Sequence, residues 1–167
     1  MGTFLELFLG NMYCWFKSFY SDYLSQYLWG YNPATGTFNL ELRYNTIGIY
    51  TLVISAIIMV LYYYVIDNPR FCKWWSWLIM ALINSFIALF IGYYCILSDY
   101  NAGKIPDGLL YLRDENGKIV QNLISIPSEC WSFGISNMIV AFIFFLVLSF
   151  LFHWWSRVAK YSPFIKF

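Results

Sequence analysis

Three runs in this chain are long, apolar and free of Asp, Glu, Lys, Arg and Pro: Ile47 to Ile66, Trp74 to Leu97 and Trp131 to Trp155. A helix needs roughly 20 apolar residues to cross a hydrocarbon core about 30 Å thick. Within lipid, every backbone amide must be bonded inside its own element, so an uninterrupted helix is the form such a run takes. We read the three runs as membrane-spanning helices A, B and C. Helix breakers fall between them. Asp67, Asn68 and Pro69 separate A from B, and Pro106 and Pro127 lie between B and C.

Composition supports this class. The chain is 60% hydrophobic and 11% charged, whereas soluble domains average about 45–50% apolar and about 25% charged. So few charges cannot cover a water-exposed surface. A net charge of +1 gives no electrostatic basis for nucleic-acid binding. Cys14, Cys72, Cys95 and Cys130 show no paired CxxC spacing, which argues against a metal finger. The opening residues lack the basic stretch and cleavage site of a secretory leader. Glu6 stands where a myristoylation motif requires Ser or Thr.

The expected fold class is an all-α integral membrane protein: a single membrane domain with three spans, or four if the N-terminal segment also crosses. Its parts are an amphipathic helix over 1–30, a strand and loop over 31–44, span A over 45–66 and span B over 74–97. A loop with a β-hairpin over 98–130, span C over 131–155 and a tail over 156–167 follow. The A–B connection carries Arg70 and Lys73, and the tail carries Arg157, Lys160 and Lys166. The positive-inside rule places these on the cytoplasmic or matrix side of a bacterial or mitochondrial inner membrane. Aromatic residues gather at both ends of the spans, as interfacial belts do.

In the N-terminal segment, Leu5, Phe8, Leu9, Met12, Trp15, Phe16, Phe19, Tyr23 and Tyr27 fall on one helical face. The opposite face carries Glu6, Gly10, Cys14, Lys17, Ser18, Ser21, Asp22 and Ser25. Such a helix lies in the outer interface, docks on the bundle, or crosses as a tilted fourth span. A charge at Lys17 makes the last of these costly, by about 2.5–3.5 kcal/mol. Thr37 to Tyr44 alternates like a strand. Leu109 to Arg113 and Lys118 to Leu123 flank Asn116-Gly117, a hairpin signal that calls for positive φ at both turn positions. Together these three strands predict a small outer β-cap.

Candidate site residues are those of helix packing. Ala81, Ser85, Ala88 and Gly92 recur along helix B; Gly48, Thr51 and Ser55 along A; Gly134, Asn137 and Ala141 along C. Small side chains let helices approach where lipid supplies no hydrophobic drive between them, and Asn84 and Asn137 are expected to bond across helices. Cys95 and Cys130 sit at the same ends of their helices and form a possible disulfide if that side is oxidising. His153, the sole histidine, reads as an interfacial anchor. Asp99, Asp107, Asp114, Glu115 and Glu129 lack the spacing of a calcium loop and read as a solvated surface.

No catalytic motif, cofactor motif or metal cluster is evident, so the expected protein is not an enzyme. Its expected ligands are bound lipids, with no small-molecule substrate. Its expected partners are other membrane subunits or copies of itself. A structural subunit of a larger membrane assembly, such as an energy-transducing or secretion complex, leads these expectations. A homo-oligomeric pore or defence effector comes next, then an immunity protein against a membrane-inserting toxin.

Overall fold

A computed structural model describes residues 4–65 and 74–152. The A–B connection, His153 and the C-terminal tail lie outside the described residues. Three helices are long and apolar enough to cross a membrane: α3 (Arg43–Val60, continued by a π-helical turn over Leu61–Val65), α4 (Trp74–Asn101) and α6 (Ile126–Phe152). The remaining elements form a cap at one end. They are α1 (Phe4–Cys14), a 3-10 turn over Lys17–Phe19, α2 (Asp22–Leu28), β1 (Tyr31–Asn32), β2 (Thr37–Phe38), α5 (Asp107–Leu110), β3 (Tyr111–Arg113) and β4 (Ile119–Asn122).

Apolar side chains fill the core, among them Ile47, Met59, Ile96, Phe133 and Phe145, and also cover the outside of the long helices. Large apolar residues face outward along α4, where Ile79, Leu82, Ile83, Phe86, Ile87, Phe90 and Tyr94 are exposed. Their spacings of one, three and four make a single helical stripe. Tyr50, Val53, Ile57, Val60 and Tyr64 do the same on α3. The buried stripes also carry small and polar residues, among them Thr51, Ser55, Ala81, Asn84, Ser85, Ala88, Ser136, Asn137 and Ala141. Apolar outward faces over polar buried positions are the pattern expected of helices packed in lipid.

The most extensive interface joins α4 and α6. Gly92 and Gly134 make it close: a Cβ on Gly134 would stand 2.9 Å from the Leu89 carbonyl oxygen, and one on Gly92 would stand 3.2 Å from the Gly134 Cα. Contacts pair Ala88 with Asn137, Asn84 with Ala141 and Trp77 with Ser149, so the two helices are antiparallel. Tyr44 packs with Phe133, Thr51 with Asn137 and Tyr63 with Ser149, so α3 and α6 are parallel.

The N-terminal segment departs from expectation. It is not one helix over 1–30 but three pieces. Tyr20 is extended (φ −134°, ψ 165°), and Ser21 caps α2 by accepting from the Leu24 N–H at 3.2 Å. The Ser21 N–H is in turn held by Glu129 at 2.8 Å. This break turns Leu9, Met12, Tyr13, Tyr20 and Tyr27 inward and leaves Phe8, Trp15, Phe19 and Tyr23 exposed. A single amphipathic face drawn through all thirty positions therefore does not exist. Tyr13 stacks on Tyr44 at 5.3 Å, and Leu9 meets Gly48 one turn further along α3. The two helices thus run antiparallel. The 11 residues of α1 extend about 16 Å, half of what a core of about 30 Å requires. Over the described residues, then, α1 docks on the bundle and is not a fourth full span.

The expected strand over Thr37 to Tyr44 is also shorter. Only Thr37–Phe38 pairs, with Tyr31–Asn32. Phe38 and Leu40 are exposed, so the alternation has no core to face, and from Arg43 onward the chain is already helical. The expected hairpin forms as β3 and β4, in a second sheet separate from the first. Its turn differs in detail. Only Gly117 takes positive φ (75°), Asn116 does not, and a register shift falls between Leu112 and Arg113. A type I turn closed by a left-handed glycine and a bulge gives this combination.

Close approach at Gly134 generates a test. Gly134→Leu should lower stability by about 1–3 kcal/mol through overpacking against the α4 backbone, whereas Ile83→Ala on the outward stripe should change it by less than about 0.5 kcal/mol. Unfolding followed by circular dichroism in detergent measures both.

Candidate functional site

Two polar centres organise the bundle, one between the helices and one at the cap end. The first is built on Asn137, which is fully buried. Its Nδ2 donates to the Ala88 carbonyl on α4 at 2.7 Å. Its Oδ1 accepts from Thr51 Oγ1 on α3 at 3.0 Å and from the Tyr13 hydroxyl on α1 at 2.5 Å. One side chain thereby ties four helices. One turn away, Asn84 Nδ2 donates to the Ala141 carbonyl at 3.1 Å. At the far end, Tyr63 and the Trp77 indole converge on Ser149 Oγ at 2.7 and 3.0 Å.

All ten packing residues picked out from the sequence (Gly48, Ser55, Ala81, Asn84, Ser85, Ala88, Gly92, Gly134, Asn137 and Ala141) are buried. Asn84, Ser85, Ala88, Gly92, Gly134, Asn137 and Ala141 lie along the α4–α6 seam or bond across it. Gly48 instead receives Leu9 of α1. Ser55 Oγ and Asn84 Oδ1 are buried without a hydrogen-bond partner.

Cys95 and Cys130 are free thiols. Cys95 precedes Asp99 by four residues and so shares the face of α4 that looks toward α3. Tyr93 occupies the position facing α6, its ring 4.8 Å from that of Trp131.

The second centre was misread in the sequence. Asp99 is 2% exposed and is not part of a solvated acidic surface, although Asp107, Asp114 and Glu115 are exposed. Arg43 opens α3 and holds the Asp99 carboxylate through two edges, with Nε to Oδ2 at 2.8 Å and Nη2 to Oδ1. Lys104 Nζ stands 3.8 Å from Asp99 Oδ1, and Glu41 Oε2 stands 3.6 Å from Arg43 Nη1. Above them lies a cavity of about 280 Å³ lined by Tyr27, Leu40, Glu41, Arg43 and Lys104. Burial, then the nearby Asp99 carboxylate, push the Tyr27 hydroxyl well above its ordinary ionisation range. Burial does the same at Tyr20, whose hydroxyl meets Tyr44 at 2.8 Å. Both hydroxyls therefore stay neutral at physiological pH. A second hollow of about 400 Å³ is lined by Cys14, Lys17, Ser25, Gln26, Trp29 and Phe38, with Lys17 bonded to Asp22 at 2.6 Å.

Among the described residues, no group of three or more His, Cys, Asp or Glu is placed to hold a metal ion. Sequence reasoning passed over Tyr13, Tyr27, Arg43 and Lys104. The available signal was opposite charge at matching ends of two adjacent spans, Arg43 before A and Asp99 after B. Comparison with protein families, with curated proteins and with solved structures returns no match.

Both centres are testable. Asn137→Ala should cost about 1–3 kcal/mol, because Ala88, Thr51 and Tyr13 each lose a partner inside the bundle. Tyr13→Phe alone should cost less, and its effect should shrink in the Asn137→Ala background, as a double-mutant cycle of unfolding free energies reads out. At the cap, Asp99→Ala should destabilise by about 3 kcal/mol through stranding a guanidinium that is largely buried. Replacing the pair together, Asp99→Ala with Arg43→Met, should recover part of that loss.

Proposed function

We propose that this chain is a non-catalytic integral membrane subunit with a structural role in a larger membrane assembly. The observation that supports this reading is that the Asn137 node is bonded entirely within this chain. Asn137, the side chain best suited to an intramembrane task, spends both ends of its amide on other helices of the same chain. Amide and hydroxyl groups arranged in this way fix helix register. Meanwhile the outward faces of α3 and α4 offer continuous apolar and aromatic stripes. Stripes of this kind suit lipid and neighbouring subunits alike. The basic residues of the A–B connection and the tail support orientation with those segments on the cytoplasmic or matrix side.

A pore made of copies of this chain is favoured less. Its polar lining would have to come from surfaces that are apolar on α3 and α4, since the polar stripes are buried within one chain.

Gentle detergent extraction from the native membrane, followed by native mass measurement, tests the proposal. The expected particle contains the 19.8 kDa chain together with different integral proteins in fixed ratio. A particle holding only copies of this chain, and conducting ions in planar bilayers, would overturn it.

A further inference from the structure

The cap-end cavity sits at a defined level. Arg43 is the first residue of α3 and its only charge, and Asp99, near the end of α4, is the only charge in that helix. Taking both helices as membrane spans, as the proposed function does, the cavity opens where two charge-free segments emerge from the hydrocarbon region. Its lining carries both signs of charge. Its cationic groups are Lys104 and the Nη1 edge of Arg43. Lys104 is 58% exposed at its side chain and, at 3.8 Å from Asp99, is beyond hydrogen-bond distance. Nη1 takes no part in the two bonds from Arg43 to Asp99. Its anionic group is Glu41, 86% exposed and ion-paired with Nη1 at 3.6 Å, too far for a hydrogen bond. The Tyr27 hydroxyl and the Leu40 side chain complete the wall.

We propose that this cavity binds a zwitterionic head group, a phosphate-type anion joined by a short linker to an ammonium. The anion lies against Lys104 and Arg43 Nη1, where charge-assisted bonds are strongest, and the ammonium lies against Glu41. A purely anionic ligand meets the Glu41 carboxylate, and a purely cationic one meets Lys104 and Arg43, so neither fits as well. About 280 Å³ falls at the lower edge of the roughly 300–1,000 Å³ typical of small-molecule sites, which suits a head group. The same chemistry is carried by an amine-bearing phospholipid and by a free phosphoethanolamine.

Native mass spectrometry of the detergent-purified chain, offered phosphatidylethanolamine and phosphatidylglycerol in equal amounts, tests this. The wild type should retain the ethanolamine lipid about fivefold over the glycerol lipid. Glu41→Lys should invert that preference, and Lys104→Glu should weaken retention of the ethanolamine lipid about fivefold or more. Both positions are solvent-exposed, and Glu41→Gln and Lys104→Gln provide milder versions if either reversal disturbs folding. Added free phosphoethanolamine separates the sources. Displacement of the lipid shows that the head group alone is read, and retention without displacement shows that the acyl chain contributes. Unchanged lipid ratios across folded variants would overturn the site. The composition of the native particle, which bears on the subunit reading, leaves this selectivity untouched.

Discussion

An amide buried among apolar helices must find hydrogen-bond partners, and the architecture follows from how Asn137 finds its own. Bonds of this kind between membrane helices average only about 0.6 kcal/mol, so the node at Asn137 does not dominate stability. Its effect is on register. Rotating α6 by one residue would carry Asn137 about 100° round the helix, taking its amide away from the Ala88 carbonyl and Thr51 and leaving the buried Tyr13 hydroxyl without its acceptor. Glycines 92 and 134 make the same demand through shape, because they permit the approach of α4 and α6 that brings the amide within reach of Ala88. Packing and hydrogen bonding therefore specify one arrangement, which is the condition for a unique fold.

The cap depends on that arrangement. Tyr13 reaches Asn137 only because α1 descends beside α3, and it descends because the chain breaks at Tyr20 and Ser21. Glu129, in the first turn of α6, holds the Ser21 N–H and so links the break to the span beneath it. On the opposite side of the cap, the Arg43–Asp99 pair sets the level at which α3 begins and α4 ends. A buried ion pair of this kind gives weak net stabilisation, since desolvation offsets much of the attraction. Its contribution here is positional. Tyr27, Lys104 and Glu41 are arranged around a fixed carboxylate, and the cavity takes its shape from them.

The three long helices were legible because their signal is length and absence of charge, and neither depends on neighbours. The small-residue stripes were legible for a related reason: a period of three and four marks a face whatever that face meets. Partnership was not legible. Arg43 alternated correctly for a strand, and nothing local revealed that Asp99, 56 positions later, would draw it into a helix. Asp99 itself looked like one of five outer acids because exposure is a tertiary property. Tyr13 belonged to neither face of the helix drawn through the N-terminal segment, since that helix ignored the break at Ser21. The Asn-Gly signal located its hairpin correctly and misjudged the turn type, because a bulge one step away absorbed the twist that two left-handed residues would have supplied.

Ties across the bundle are spaced unevenly, and the spacing bears on how it is held. The Asn137 layer joins four helices, and the Ser149 layer is tied by Tyr63 and Trp77. Between them, Asn84 makes one bond to the Ala141 carbonyl while its own oxygen, and Ser55 Oγ, remain without partners. Thr51 stands level with Asn137, and a four-residue step along each of two parallel helices puts Ser55 level with Ala141, so the two open atoms belong to one layer. The side-chain ties across the bundle therefore concentrate in the Asn137 and Ser149 layers, and Tyr13 of α1 takes part in the first of them, so the N-terminal helix belongs to the helix packing rather than standing apart from it.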